Sequence, residues 1–208
     1  MKRVLLMVCG LLLVVPAARA SATLVKLTMD ELPSQPVNGL SFKGVTFGFT
    51  VGGVPSTDAT YNAFNGGQLT FVQDPALEGD AAGVLTLDFT TPTPILNFGV
   101  ALSTFEALSP GCSVELFDNH LASLGTTGVD TAPLIAFTEG RFTYSGTPVR
   151  RAVITFNSNA AGRFAIDNLT FVAAAGAAAP AVGPSALLGL ALLLLGFGVT
   201  RLRSSPAR

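Results

Sequence analysis

Tryptophan is absent from this chain, histidine occurs once, cysteine twice, and charged residues make up only 12% of 208 residues. Each scarcity removes some chemistry. His120, Cys9 and Cys112 cannot assemble the three or four His and Cys ligands of an ordinary zinc centre. Cys112 and His120 can be written as a nucleophile and its base, but no third group to orient the base is evident. The pairs Gly52-Gly53 and Gly66-Gly67 lack the strand-glycine-helix context of a phosphate loop. Positive charge is also scarce where it would matter for nucleic acid. All thirteen acids lie between Asp30 and Asp167, and residues 21–172 hold only six of the twelve basic residues, so that part stands at about −7. Such a surface disfavours nucleic acid and anionic headgroups as partners.

Long apolar runs are present only at the two ends. Lys2 and Arg3 precede the run Val4–Val15, and Ala18-Arg19-Ala20 then offers the small residues of a cleavage site, which predicts a secretory signal peptide over 1–20. With that segment removed, Cys112 is the one cysteine left. No intrachain disulfide can form, and Cys112 is expected to be a buried, structural thiol. At the other end, Val182–Thr200 carries no charge and is followed by Arg201 and Arg203. The run approaches the roughly 20 residues that cross a hydrocarbon core, and the arginines form a basic stop on the cytoplasmic side. The expected layout is signal peptide 1–20, exported domain 21–172, an Ala/Gly/Pro linker 173–181, and a C-terminal membrane segment with basic tail 182–208. The membrane is then a partner through the C-terminal helix, and the domain lies outside the cytoplasm.

Val182-Gly183-Pro184-Ser185, the Leu/Gly-rich run after it and the arginine cluster resemble the PEP-CTERM sorting signal of Gram-negative bacteria. Pro184 and Ser185 match; Gly183 stands where that family has glutamate, and Val182 where it has the first proline. The resemblance covers about Ala181 to Arg203. It implies an exosortase as partner and release to a surface or matrix rich in exopolysaccharide; a plain membrane anchor is the other reading of the same residues.

Between Ser21 and Val172 no helical period is sustained. Val45, Phe47, Phe49 and Val51 alternate with Thr46, Gly48 and Thr50; Leu85, Leu87 and Phe89, Val114 and Leu116, and Ala152, Ile154 and Phe156 do the same. Further strands are expected at Leu24–Thr28, Leu69–Val72, Ile95–Leu102, Leu121–Thr126, Leu134–Thr138 and Arg141–Tyr144. Asp118-Asn119 predicts a hairpin, and Asp74-Pro75 and Thr91-Pro92-Thr93-Pro94 are expected to end strands. The alternation puts one face in a core and one toward water, so the expected fold is all-β, a two-sheet antiparallel β-sandwich of the jelly-roll kind, with fifteen phenylalanines supplying bulk between the sheets.

In Phe164-Ala165-Ile166-Asp167-Asn168-Leu169-Thr170-Phe171 the pair Phe164 and Ile166 is out of phase with Leu169 and Phe171. Keeping all four inside requires a β-bulge at Asp167-Asn168; otherwise the strand ends there and restarts. Leu27, Asp30, Glu31 and the segment Leu40–Phe47 are candidates to pair with it. Phe-X-Ile-Asp-Asn-Leu resembles the closing strand of galactose-binding-like jelly rolls. That resemblance implies a structural calcium, with Asp167 as ligand and Asp30 or Glu31 as partners, and calcium takes six to eight hard oxygens. The competing reading is that Asp167 and Asn168 satisfy backbone groups at a bulge.

Tyr61, Asn62, Phe64 and Asn65 share one segment and could stack on and hydrogen-bond a sugar, although Tyr61 and Phe64 are equally suited to a core. Taken together, the sequence predicts a non-enzymatic exported surface or matrix protein, with polysaccharide as the ligand expected by analogy of fold. The alternative is a hydrolase acting through the acids Asp74, Glu78 and Asp80, expected in a loop spanning Gln73–Gly83.

Overall fold

The computed structural model describes residues 22–64 and 66–174. The signal peptide, the membrane segment, the motif Val182, Gly183, Pro184 and Ser185, and the stop residues Arg201 and Arg203 lie outside the described residues, as does Asn65. Among the described residues, no helix is long and apolar enough to cross a membrane.

All regular structure here is strand: β1 (Ala22–Leu27), β2 (Gln35–Pro36), β3 (Ser41–Phe42), β4 (Val45–Val51), β5 (Val54–Pro55), β6 (Thr60–Tyr61), β7 (Leu77–Asp80), β8 (Gly83–Leu102), β9 (Leu108–Phe117), β10 (Ser123–Leu134), β11 (Phe137–Phe156) and β12 (Arg163–Ala174). Every pairing is antiparallel. β8 and β11 are each 20 residues long and run through two layers. In the first layer the N-terminal half of β8 lies between β4 and the C-terminal half of β11, which then pairs with β9, and β9 with β10. In the second, the C-terminal half of β8 lies between the N-terminal half of β11 and β12. The far edge of β12 is shared by β7, opposite Arg163–Ile166, and β1, opposite Leu169–Ala174.

Phenylalanines lock the layers face to face. Phe49 and Phe156 of the first layer meet Phe164 of the second, with ring centroids 5.8 and 3.7 Å apart, and Phe89 meets Phe171 at 5.1 Å. Leu85, Leu87, Phe89, Val114, Leu116, Ala152 and Ile154 are all buried, as their alternation predicts.

Several expectations are corrected. Thr91-Pro92-Thr93-Pro94 does not end a strand: β8 passes through it from one layer to the other. Its ladder to β11 steps from Asp88↔Arg151 to Thr93↔Val149 to Ile95↔Ser145, so the prolines fall where no ladder donor is required. Leu134–Thr138 is not one strand: Leu134 ends β10 and faces Phe137 at the start of β11 across a turn at Ile135-Ala136, with Ile135 at φ 50° and 90% exposed. Glu78-Gly79-Asp80 is not a loop but part of β7, paired with β12, and Glu78 accepts from Arg163 Nε at 3.0 Å. Leu40–Phe47 does not pair with β12, because the β4 edge is taken by β8 and the β12 edge by β1, where Leu27 opposes Leu169. β12 also continues past Val172, with Ala173 and Ala174 opposite Thr23 and Ala22. The hairpin at Asp118-Asn119 is present, with Asp118 Oδ1 accepting from the amides of His120 and Ala122.

Leu69–Val72 is not a strand either. It belongs to the segment between β6 and β7, which folds over the outer face of the second layer. There Phe64, Leu69, Val72 and Ala76 bury a second apolar cluster against Ala101 and Ala165. No strand edge receives this segment, so its backbone must find other partners.

Candidate functional site

Those partners are side chains on the sheet below. Glu139 of β11, 7% exposed, accepts the amide of Thr70 on Oε1 and that of Phe71 on Oε2, both at 2.9 Å. Asp167 of β12, 1% exposed, accepts the amide of Gln73 on Oδ2 at 3.0 Å. Asn168 Nδ2 donates to the carbonyl of Phe71 at 3.0 Å. A buried carboxylate is stable only when its lone pairs are taken up, and backbone N–H donors do that here.

The bulge places both residues of the last two contacts. Register between β12 and β8 slips between Asp167 and Thr170, with Asn168 at φ 54°, and Phe164, Ile166, Leu169 and Phe171 are all buried. Asn tolerates this left-handed conformation better than most side chains. The extra residue turns Asp167 and Asn168 toward the loop, and Asp167 also binds its neighbour, accepting from the Asn168 amide at 2.6 Å and Nδ2 at 2.9 Å. Burial raises the Asp167 carboxyl to about 6, against the opposing pull of the amides of Asn168 and Gln73 and of the Lys26 ammonium.

The fourth anchor is a missing atom. Gly99 of β8 lies directly under the loop, and a Cβ there would sit well inside 3.0 Å of the Phe71 carbonyl. Glycine lets the loop backbone rest on the sheet.

Between loop and sheet lies a cleft of about 370 Å³. Thr70, Phe71 and Gln73 form the loop wall; Lys26, Arg141, Asn168 and Thr170 rise from the sheet, with Gly99 on the floor. Phe71 is 36% exposed. Lys26 opposes Thr170, which opposes Asn97 in β8, and the buried Oδ1 of Asn97 has no hydrogen-bond partner among the described residues.

The residues singled out from sequence fall elsewhere, apart from Asp167. Tyr61 is fully buried, its ring edge-on to Phe47, and its hydroxyl donates to Glu31 Oε2 at 2.5 Å. Burial, then that contact, pushes its phenol above the ordinary value. Phe64 is 5% exposed and packs against Phe137, so neither ring offers the open face that stacking on a sugar needs. Asn62 donates Nδ2 to the Leu32 carbonyl at 2.9 Å. Glu31 also accepts from the Thr28 amide at 3.1 Å and pairs with Lys43 at 3.7 Å, while Asp30 accepts from the Thr28 hydroxyl at 2.6 Å. Asp167, Asp30 and Glu31 are thus committed to separate contacts, and among the described residues no group of three His, Cys, Asp or Glu is placed to hold a metal ion. Cys112 is buried and its thiol is pushed up to about 12 by burial; His120 is exposed.

Glu139, Gly99, Phe71, Lys26 and Arg141 carry no motif. An acid inside an otherwise strand-like run at Thr138-Glu139-Gly140 is the one signal that could have drawn notice to Glu139.

No family model and no curated protein matches this chain. Among solved structures it is similar to CBM29_1, a family 29 carbohydrate-binding module from Piromyces equi, at TM-score 0.40 and 11% identity over 75% of this chain and 92% of that one. A CBM29-2 mutant complexed with mannohexaose gives TM-score 0.39 and 12% identity over 74% and 94%. The enzymatically active domain of bacteriophage CBA120 tailspike protein 4 gives 0.35 and 19%, over 66% of this chain and 21% of that one. Likeness at this level identifies neither a common fold family nor a ligand.

Proposed function

We propose that the β domain is a non-enzymatic polysaccharide-binding module, carried to the cell surface or extracellular matrix by the signal peptide and by the C-terminal segment that resembles a PEP-CTERM signal. The jelly-roll, galactose-binding-like form of the sandwich belongs to the same reading. The observation that carries the binding role is the cleft beneath the clamped loop. A sugar polymer offers hydroxyls to polar side chains and C–H faces to an aromatic ring. Thr70, Gln73, Asn168 and Thr170 provide the first kind of contact and the half-exposed Phe71 the second. The loop wall is pinned at Thr70, Phe71 and Gln73, so little ordering cost falls on binding.

The test is retention of the full chain, in detergent, on a panel of immobilised polysaccharides, compared with Phe71→Ala and Tyr61→Phe. Binding weakened about tenfold by Phe71→Ala, a loss of roughly 1.4 kcal/mol, and kept by Tyr61→Phe is expected. No retention on any polysaccharide overturns the reading. Mass spectrometry of both termini of the cell-derived protein tests the targeting part: an intact Arg208 overturns processing by an exosortase.

A further inference from the structure

Building on the polysaccharide reading, we infer that the polymer bound in the cleft is anionic, carrying uronate carboxylates or sulfate esters that Lys26 and Arg141 neutralise. The domain is acidic, with thirteen acidic against six basic residues in 21–172. Three of those six are engaged elsewhere: Arg151 holds Asp88 through two bonds of 2.7 and 3.0 Å, Arg163 holds Asp58 and Glu78, and Lys43 lies 3.7 Å from Glu31. Arg150 donates to the carbonyls of Phe89 and Thr90. Lys26 and Arg141 are the remaining two; both are exposed, both line the same cleft, and neither forms an ion pair among the described residues.

Asp167 lies within electrostatic reach of Lys26, yet it is buried and its two oxygens are taken up by three N–H donors, so it does not close Lys26 into an ion pair. The cleft therefore gathers the domain's two uncommitted cations against its overall sign. Lys26 sits on β1 and Arg141 on β11, with β12 and β8 between them. Three interstrand steps of about 4.8 Å separate their backbones by roughly 14 Å across the sheet, wider than one sugar ring. That spacing favours charges on separate residues of a polymer over a single small anion. The surrounding negative field is screened beyond about 8 Å at physiological salt, which leaves contacts inside the cleft to decide affinity.

The experiment titrates the full chain in detergent with three polymers of galactose-type sugars: polygalacturonate, a sulfated galactan and neutral galactan. At least one anionic polymer is expected to bind about tenfold more tightly than neutral galactan, the size of one charge-assisted contact. The preference should fade in high salt and in the Lys26→Gln, Arg141→Gln double variant, whose sites are exposed and tolerate the change, and persist in Lys43→Gln. Which anionic polymer binds better separates carboxylate from sulfate ester. Equal affinity for all three overturns the anionic assignment and leaves the polysaccharide reading standing. Binding of none overturns the anionic assignment, and the polysaccharide reading falls with it when the wider panel of immobilised polysaccharides also retains nothing.

Discussion

The carbonyl oxygen of Phe71 occupies the space where any other residue at Gly99 would carry its Cβ. These two residues, one in a loop and one near the C-terminal end of β8, set how closely the loop lies on the sheet. Gly99→Ala is expected to lift the loop, break the Asn168 contact to Phe71 and cost about 1–3 kcal/mol, the range for an inserted methyl in a packed site. Hydrogen exchange should show the effect concentrated at residues 70–73. Unchanged protection there would contradict the geometry.

Glu139 acts as a two-pronged acceptor, so its amide analogue is not equivalent. In Glu139→Gln one prong becomes a donor facing the amide of Thr70 or Phe71. A loss of about 1–3 kcal/mol in urea unfolding is expected, with faster exchange at both amides. The apolar contacts of Leu69 and Val72 would keep the segment near the sheet.

Asp167 makes stability depend on pH in a defined direction. Its carboxyl titrates near 6 in the fold, against about 3.9 in an unfolded chain. The folded state therefore holds the proton more tightly. This group's contribution is greatest below about pH 3.9, falls as pH rises to about 6 and is constant above that. The stability of the natural chain relative to Asp167→Asn should decline by about 2 kcal/mol between pH 4 and 6. A flat difference across that interval would refute the burial argument.

Cys112 is expected to resist alkylation while the domain is folded, since its thiol is buried and stays protonated to about pH 12. Iodoacetamide at pH 8 should modify it only in denaturant, as read by intact mass. Rapid modification of the folded chain would show that the β9 position is open to solvent.

The parts legible in the sequence are those set by local alternation. Val45–Val51, Leu85–Phe89 and Ala152–Phe156 report their buried faces directly, and the phase change between Ile166 and Leu169 reports the bulge. What the sequence hid are relationships between distant positions. Leu69–Val72 has the composition of a strand, but the amides of Thr70 and Phe71 are taken by Glu139 and that of the adjacent Gln73 by Asp167, 68 or more residues away. Pro92 and Pro94 look like terminators because a proline cannot donate to a ladder, and nothing local shows that the chain there is crossing between layers. Tyr61 is amphipathic enough for a surface or a core, and only Glu31, thirty residues earlier, decides it. Lys26 and Arg141 line one cleft because β1 and β11 belong to the same layer, a fact of topology with no signature in either segment.

β8 and β11 each contribute to both layers, so the sandwich has no seam along which it could be peeled apart. Loosening one layer frees half of two strands that the other depends on. Denaturation should therefore proceed as a single cooperative event, leaving no half-melted intermediate whose bare strand edges could recruit neighbours.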